Sequence, residues 1–150
     1  METKIEGASL RFLDDFFEIE KQCFLQEAFL KQQIAYLLAD YNAISLAARV
    51  NGEIAGFVIG RIDMERDLHV GHILTVDVAS LHRRKGIARQ LLCEMEAIFR
   101  DKGIKECRLE VREDNAAALN LYQKLGFKKG AKLEHYYQDA HGLYLRKILR

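Results

Sequence analysis

His82-Arg83-Arg84-Lys85-Gly86-Ile87-Ala88 is the segment of this 150-residue chain best equipped for chemistry. It falls between a stretch that reads as strand and one that reads as helix. The first N–H groups of a helix have no partner within it, and the helix dipole adds positive potential there. Gly86 and the small Ala88 let a ligand approach the main chain closely, and Arg83, Arg84, Lys85 and Arg89 surround the spot with charge. A pyrophosphate needs these features. The segment is neither a G-x-x-x-x-G-K-[ST] loop nor a G-x-G-x-x-G fingerprint. The plain alternative is a solvated basic helix start.

The other reactive side chains are less pointed. His69 and His72 are three apart on a strand, so they fall on opposite faces and make a poor metal site. His82 flanks the loop, and His135 and His141 read as surface residues. Cys23, Cys93 and Cys107 are an odd number with no close pair, which suits neither a disulfide framework nor a zinc ribbon. They are expected to be reduced and mostly buried. No metal is expected.

The elements that must position this loop follow from periodicity. Residues 4–10 read as a first strand. Asp14 and Asp15 mark a helix start, with Phe12, Phe16, Ile19 and Cys23 at helical spacing. A second helix has Leu30, Ile34, Leu37, Leu38 and Tyr41 on one stripe. Residues 43–50 and 53–62 form a hairpin about Asn51-Gly52, a pair suited to the positive φ angles of a type I′ turn. After the polar break 64–67, LHVGHILTVDV (68–78) completes an antiparallel meander. The helix after the basic loop buries Ile87, Leu91, Met95 and Ile98 and ends at Gly103. KECRLEVR (105–112) alternates, with Cys107, Leu109 and Val111 on one face and Arg108, Glu110 and Arg112 on the other. Asp114 or Asn115 caps the next helix, whose Ala118, Leu121, Tyr122 and Leu125 share a face; Gly126 ends it. Two strands about a turn near 139–142 finish the chain. The order βαα-βββ-α-β-α-ββ, with a parallel crossover from 68–78 to 105–112, implies a mixed, mostly antiparallel α/β sheet of seven strands with about four helices.

Length and composition bound the rest. At 17.3 kDa, with 49% apolar and 30% charged residues and no linker, repeat or low-complexity stretch, residues 1–150 read as one globular domain. A chain of this size can bury about 68–70% of its unfolded surface without staples. The 23 basic and 22 acidic side chains argue against a nucleic-acid coat. No apolar run reaches the ~20 residues of a membrane helix. METKIEGAS lacks a signal-peptide core, so the cytoplasm is the expected compartment.

Four segments together carry a family resemblance. Arg83-x-x-Gly86-x-Ala88 resembles the [QR]-x-x-G-x-[GA] acetyl-CoA signature of the GNAT N-acetyltransferase superfamily. LEVREDNAAALNLYQKLGF (109–127) resembles its L-E-V-R-x-x-N-x-x-A-x-x-L-Y-x-x-x-G-F block. GHILTVDV resembles its preceding strand, and YYQD (136–139) its C-terminal Tyr-Tyr segment. The likeness covers essentially 1–150. It leans toward the protein N-terminal acetyltransferases, including the ribosomal-protein alanine enzymes.

The resemblance implies a GNAT fold and transfer of an acetyl group from acetyl-CoA to an amine by direct attack. It places the backbone of Val76, Asp77 and Val78 along the pantetheine arm. It puts Arg83, Arg84, Lys85, Gly86, Ile87, Ala88 and Arg89 on the pyrophosphate and Asn115 on the cofactor arm, and it gives a backbone N–H near Val78 to the thioester oxygen. Glu110 would be the general base, acting directly or through water, and Tyr122 the proton donor to the leaving thiolate. Phe24 and Leu25, in the loop 24–29, and Tyr136 and Tyr137 would line a peptide groove. The favoured acceptor is a protein or peptide α-amino group. A small-molecule amine, or a non-catalytic CoA-binding sensor, are the rival readings. An edge strand at the C-terminus could pair two copies into a homodimer.

Overall fold

A computed structural model describes residues 2–24, 27–137 and 140–150. The strands are β1 (Thr3–Gly7), β2 (Ala43–Val50), β3 (Glu53–Glu65), β4 (Leu68–Val78), β5 (Glu106–Arg112), β6 (Lys128–Tyr137) and β7 (Ala140–Ile148). The helices are α1 (Leu13–Cys23), α2 (Lys31–Ala39), α3 (Ile87–Asp101) and α4 (Ala116–Lys124), with 3-10 turns at Leu10–Phe12 and Ser80–His82. The seven strands form one sheet in the order β1-β2-β3-β4-β5-β7-β6, parallel only between β4 and β5. This is the mixed α/β architecture expected from the sequence.

Local chemistry accounts for the frame. Asn51 and Gly52 take φ 51° and 82°, as a type I′ turn requires. Arg66 and Asp67 do the same without glycine, at 49° and 66°, so the polar break shrinks to two residues and β3 runs on to Glu65. One face of the sheet packs on α1 and α2, where Phe16 stacks on Phe57 with ring centroids 4.1 Å apart. The other packs on α3 and α4, with Leu91, Leu92, Met95 and Phe99 at its centre.

Several expectations are corrected. The first strand ends at Gly7, because the Ser9 side chain accepts the Arg11 N–H and caps a 3-10 turn. Ile34 and Leu37 are buried, but Leu30 and Tyr41 are not. Leu30 precedes α2 in an extended conformation, and Tyr41 follows its last turn. Of the cysteines only Cys107 is buried; Cys93 is exposed on α3 and Cys23 half-buried. Ala140, His141 and Gly142 belong to β7 rather than to a turn, and residues 138–139 lie outside the described residues. The C-terminal strand β7 is interior. At that end of the sheet the edge strand is β6, which presents exposed Lys128, Lys129 and Lys132, side chains that oppose strand-to-strand association. Among the described residues no helix is long and apolar enough to cross a membrane.

Two irregularities in β4 shape the site. Ile59 pairs with Thr75 but Gly60 with Ile73, so Leu74 is an extra residue, a β-bulge. And β4 pairs with β5 only at Gly71↔Cys107 and His72↔Arg108. Beyond His72 the two strands part. At the junction Phe99 lies flat against Gly71, where a Cβ would sit 2.5 Å from the ring. Gly71→Val should therefore destabilise the fold by about 1–3 kcal/mol through overpacking. A urea midpoint equal to wild type would show that Phe99 does not bear on this position.

Candidate active site

The parting of β4 and β5 leaves one edge of β4 without a strand partner. Strand alternation decides which groups face that gap. The Ala79 N–H donates to Ala55 O at 2.8 Å, on the β3 side. The Asp77 carbonyl also turns to β3, only 2.6 Å from where a Cβ on Gly56 would be. Val76 and Val78 therefore direct their N–H and C=O groups into the gap. Of the three residues expected to line a ligand arm with their main chain, Asp77 is the exception. The Val78 carbonyl accepts from Arg83 Nε (3.2 Å) and from the Cys23 thiol (3.4 Å).

The basic loop stands at the end of this gap. Arg84 and Gly86 have φ 62° and 77°, and these two left-handed residues curl the chain onto the α3 N-terminus. A Cβ on Gly86 would meet nothing within 4 Å, so the space above it is open to a ligand. Arg84, Lys85 and Arg89 are exposed, Ala88 half-exposed, and Ile87 roots the helix in the core. Arg83 is otherwise engaged: besides Val78 O, its guanidinium donates to Gln22 O at 3.4 Å, at the end of α1. Asn115 caps α4 by accepting the Ala118 N–H at 3.1 Å, settling the choice between Asp114 and Asn115. Asp114 instead pairs with Arg112.

Glu110 projects from β5 on the α1/α2 side, opposite Leu109 and Val111. Its Oε1 is 2.7 Å from His72 Nε2, and His72 Nδ1 is 3.0 Å from Asp63 Oδ2. Tyr122 lies in the core on the other face, edge-on to Phe127 at 5.8 Å. Burial, with Asp77 and Tyr137 nearby, pushes its phenol far above the usual range, so it stays protonated. Glu110 and Tyr122 thus stand on opposite faces of β5. They can address one ligand only through the opening between β4 and β5.

Arg112 bridges the two segments expected to flank a peptide. It lies 3.3 Å from Glu27 of the 24–29 loop and 5.7 Å from the Tyr137 ring. Tyr136 meets Tyr137 edge-on at 4.9 Å. Phe24 is half-buried where α1 ends, its N–H bonded to Glu20 O. Leu25 lies outside the described residues.

The Acetyltransferase (GNAT) family pattern matches residues 11–127. The chain belongs to the GNAT family of acetyltransferases. An N-alpha-acetyltransferase of Sulfurisphaera tokodaii is 33% identical over 96% of this chain and 91% of its own. One from Saccharolobus solfataricus is 34% identical over 72% of this chain and 70% of its own. The crystal structure of Ard1 from Thermoplasma volcanium superposes with a TM-score of 0.90 at 25% identity, covering 100% of this chain and 99% of that one.

Within this GNAT fold the sequence motifs did not reveal three acidic or basic groups. The sequence offers His72 only as a poor metal ligand, yet it is hydrogen-bonded to Glu110. Its register partner Arg108 precedes Glu110 by two, so a parallel crossover was the available signal. Glu20 and Asp77 form a buried acid pair, each about 1% exposed, with Thr75 hydrogen-bonded to both. Glu20 Oε2 also accepts the Phe29 N–H at 3.0 Å, which ties Phe29 to this buried pair.

Burial and the neighbouring Glu20 hold the Asp77 carboxyl protonated well above the ordinary range. Unfolded, it would titrate near 3.9. Folding thus binds an extra proton, and the stability this adds is complete below about pH 3.9 and lost as pH rises through the folded value. Wild-type protein should lose more stability between pH 5 and pH 9 than Asp77→Asn, as read from urea midpoints. Parallel pH profiles for the two would refute a shared proton.

Proposed function

We propose that this GNAT protein acetylates the N-terminal α-amino group of a protein or peptide, with acetyl-CoA as donor. The observation that carries the reading is the extent of its likeness to an N-alpha-acetyltransferase, 33% identity along 96% of the chain. The geometry supports it. The open edge of β4 offers the Val76 and Val78 N–H groups to a pantetheine amide chain. The open space above Gly86, the free start of α3 and the charges of Arg84, Lys85 and Arg89 suit the pyrophosphate, with Arg83 bracing the loop on α1. Asn115, its carbonyl oxygen used in capping, retains its amide for the cofactor arm.

The reaction asks little of the protein beyond placement and proton handling. A neutral amine attacks the thioester carbonyl; a C–N bond forms and the C–S bond breaks. Glu110 takes the proton the amine must lose. An α-amine with a pKa near 7.7–8.0 makes this a modest task. The Val78 N–H, facing the gap, supports the carbonyl oxygen as charge develops. Tyr122, held protonated by burial, donates to the departing sulfur. The groove between the 24–29 loop and Tyr136–Tyr137, floored by Glu110 and Arg112, receives the peptide.

Glu110→Gln should lower kcat by about 10²–10⁴-fold with acetyl-CoA affinity unchanged. Full activity in that variant would remove Glu110 from the mechanism. Gly86→Trp should abolish acetyl-CoA binding, measured by calorimetry, without unfolding the chain; unaltered binding would take the loop out of the account. Turnover should appear against one class within a panel of peptides with varied first residues. Turnover only on polyamines or aminoglycosides would move the acceptor to small amines, and tight cofactor binding with no turnover on any amine would favour a sensor.

A further inference from the structure

His72 is held between two carboxylates, and their distances constrain its protons. A neutral imidazole carries one N–H and one lone pair. At 2.7 Å, a bare lone pair on Nε2 would repel the Glu110 oxygen. A proton therefore lies between Nε2 and Oε1. Nδ1, 3.0 Å from Asp63 Oδ2, needs its own. Asp63 has none to supply. Arg61 grips it through Nε at 2.7 Å and Nη2 at 3.3 Å, and Arg108 Nη2 lies 3.6 Å away. These partners keep Asp63 ionised, so it accepts from Nδ1 and the labile proton sits on the Glu110 side.

We propose that Asp63 is a positioning residue for acetyl transfer: it fixes His72 with Nδ1 protonated, so that His72 Nε2 and Glu110 accept the proton of the amine as one unit. This rests on Glu110 being the base. Before attack the unit is a neutral His72 and a carboxylate Glu110. One proton enters from the amine and settles between Nε2 and Oε1, as in the geometry seen here. It leaves to water before the next turnover, and no other bond in these residues changes.

The surroundings agree. Arg61 and Asp63 face the ring from β3, and Arg108 and Glu110 from β5. Tyr136 of β6 and Tyr144 of β7 border Glu110 and Arg108, and Glu65 pairs with Arg108 from beyond. Burial favours a neutral ring, but Glu110 and Asp63 together outweigh it and raise the His72 pKa. Asp63 itself is lowered, with Arg61 and His72 overcoming its burial.

The test is Asp63→Asn, which preserves shape and removes charge. Nitrogen-labelled histidine NMR should show His72 in the wild type with Nδ1 protonated above its titration midpoint, and in Asp63→Asn a midpoint at lower pH. The acid limb of kcat/KM against pH should move down with it. Meanwhile kcat should fall at least about ten-fold, short of the ~10⁴-fold cost of amidating a protease's orienting aspartate, with KM for acetyl-CoA unchanged. An unshifted midpoint and acid limb, even with lowered stability, would overturn the proposal. So would a wild-type His72 with its neutral proton on Nε2, a result that needs no variant to fold. Asp63→Glu should recover part of the midpoint shift. Because the NMR readout requires no turnover, a fully active Glu110→Gln would defeat the base assignment while leaving the Asp63–His72 tautomer separately legible.

Discussion

Two residue pairs hold β4 to β5, and what happens beyond them determines the rest of the site. A parallel ladder normally continues along the full length of its strands. Here it is closed at Gly71 and His72, where Phe99 presses on the bare glycine, and opens immediately after. The opening costs hydrogen bonds that the backbone would otherwise make within the sheet. It also presents main-chain N–H groups, a helix start and a carboxylate along one line. The cosubstrate arm proposed for that gap would complete the sheet with its own amides.

Buried polar groups tie α1 and Phe29 to this opening. Glu20 reaches from α1 to Thr75 and Asp77 on β4 and holds the Phe29 N–H. Phe29 is thereby linked to β4 through groups shielded from water. A second chain of charge, Arg61–Asp63–His72–Glu110, crosses β3, β4 and β5 on the same face. Each buried carboxylate in these chains has a proton or a cation beside it, as groups removed from water require. The two chains set polar groups on the α1/α2 face of the sheet, while the side chains packed under α3 and α4 are mainly apolar.

The elements were legible because their signals are local. Asn51-Gly52 marks a turn by itself, and 105–112 alternates plainly enough to put Glu110 on the polar face. The loop at 83–88 stands out because small residues and charge coincide at a helix start. Long-range facts were hidden. Nothing near Asp77 in sequence announces Glu20, and nothing near His72 announces Asp63. Leu30 and Tyr41 fit the helical period of α2 but lie past its ends, so the period overstated the stripe. Which of the two C-terminal strands forms the edge was not legible, because strand order, unlike strand existence, depends on pairing across the whole chain: β7 inserts between β5 and β6.

The extra residue in β4 has a wider meaning. In a regular strand His72 and Thr75 would point to opposite sides, and His72 and Asp77 likewise. The bulge at Leu74 brings all of them to the α1/α2 face. One inserted residue thus decides whether the histidine and the buried acid pair share a surface. Surface loops tolerate gain or loss of a residue during divergence. At Leu74 a single-codon deletion would turn half the strand inside out, sending charged groups into the α3 core. Descendants of this chain can change length almost anywhere along its rim, but the count of residues between Gly71 and Val78 is closed to drift.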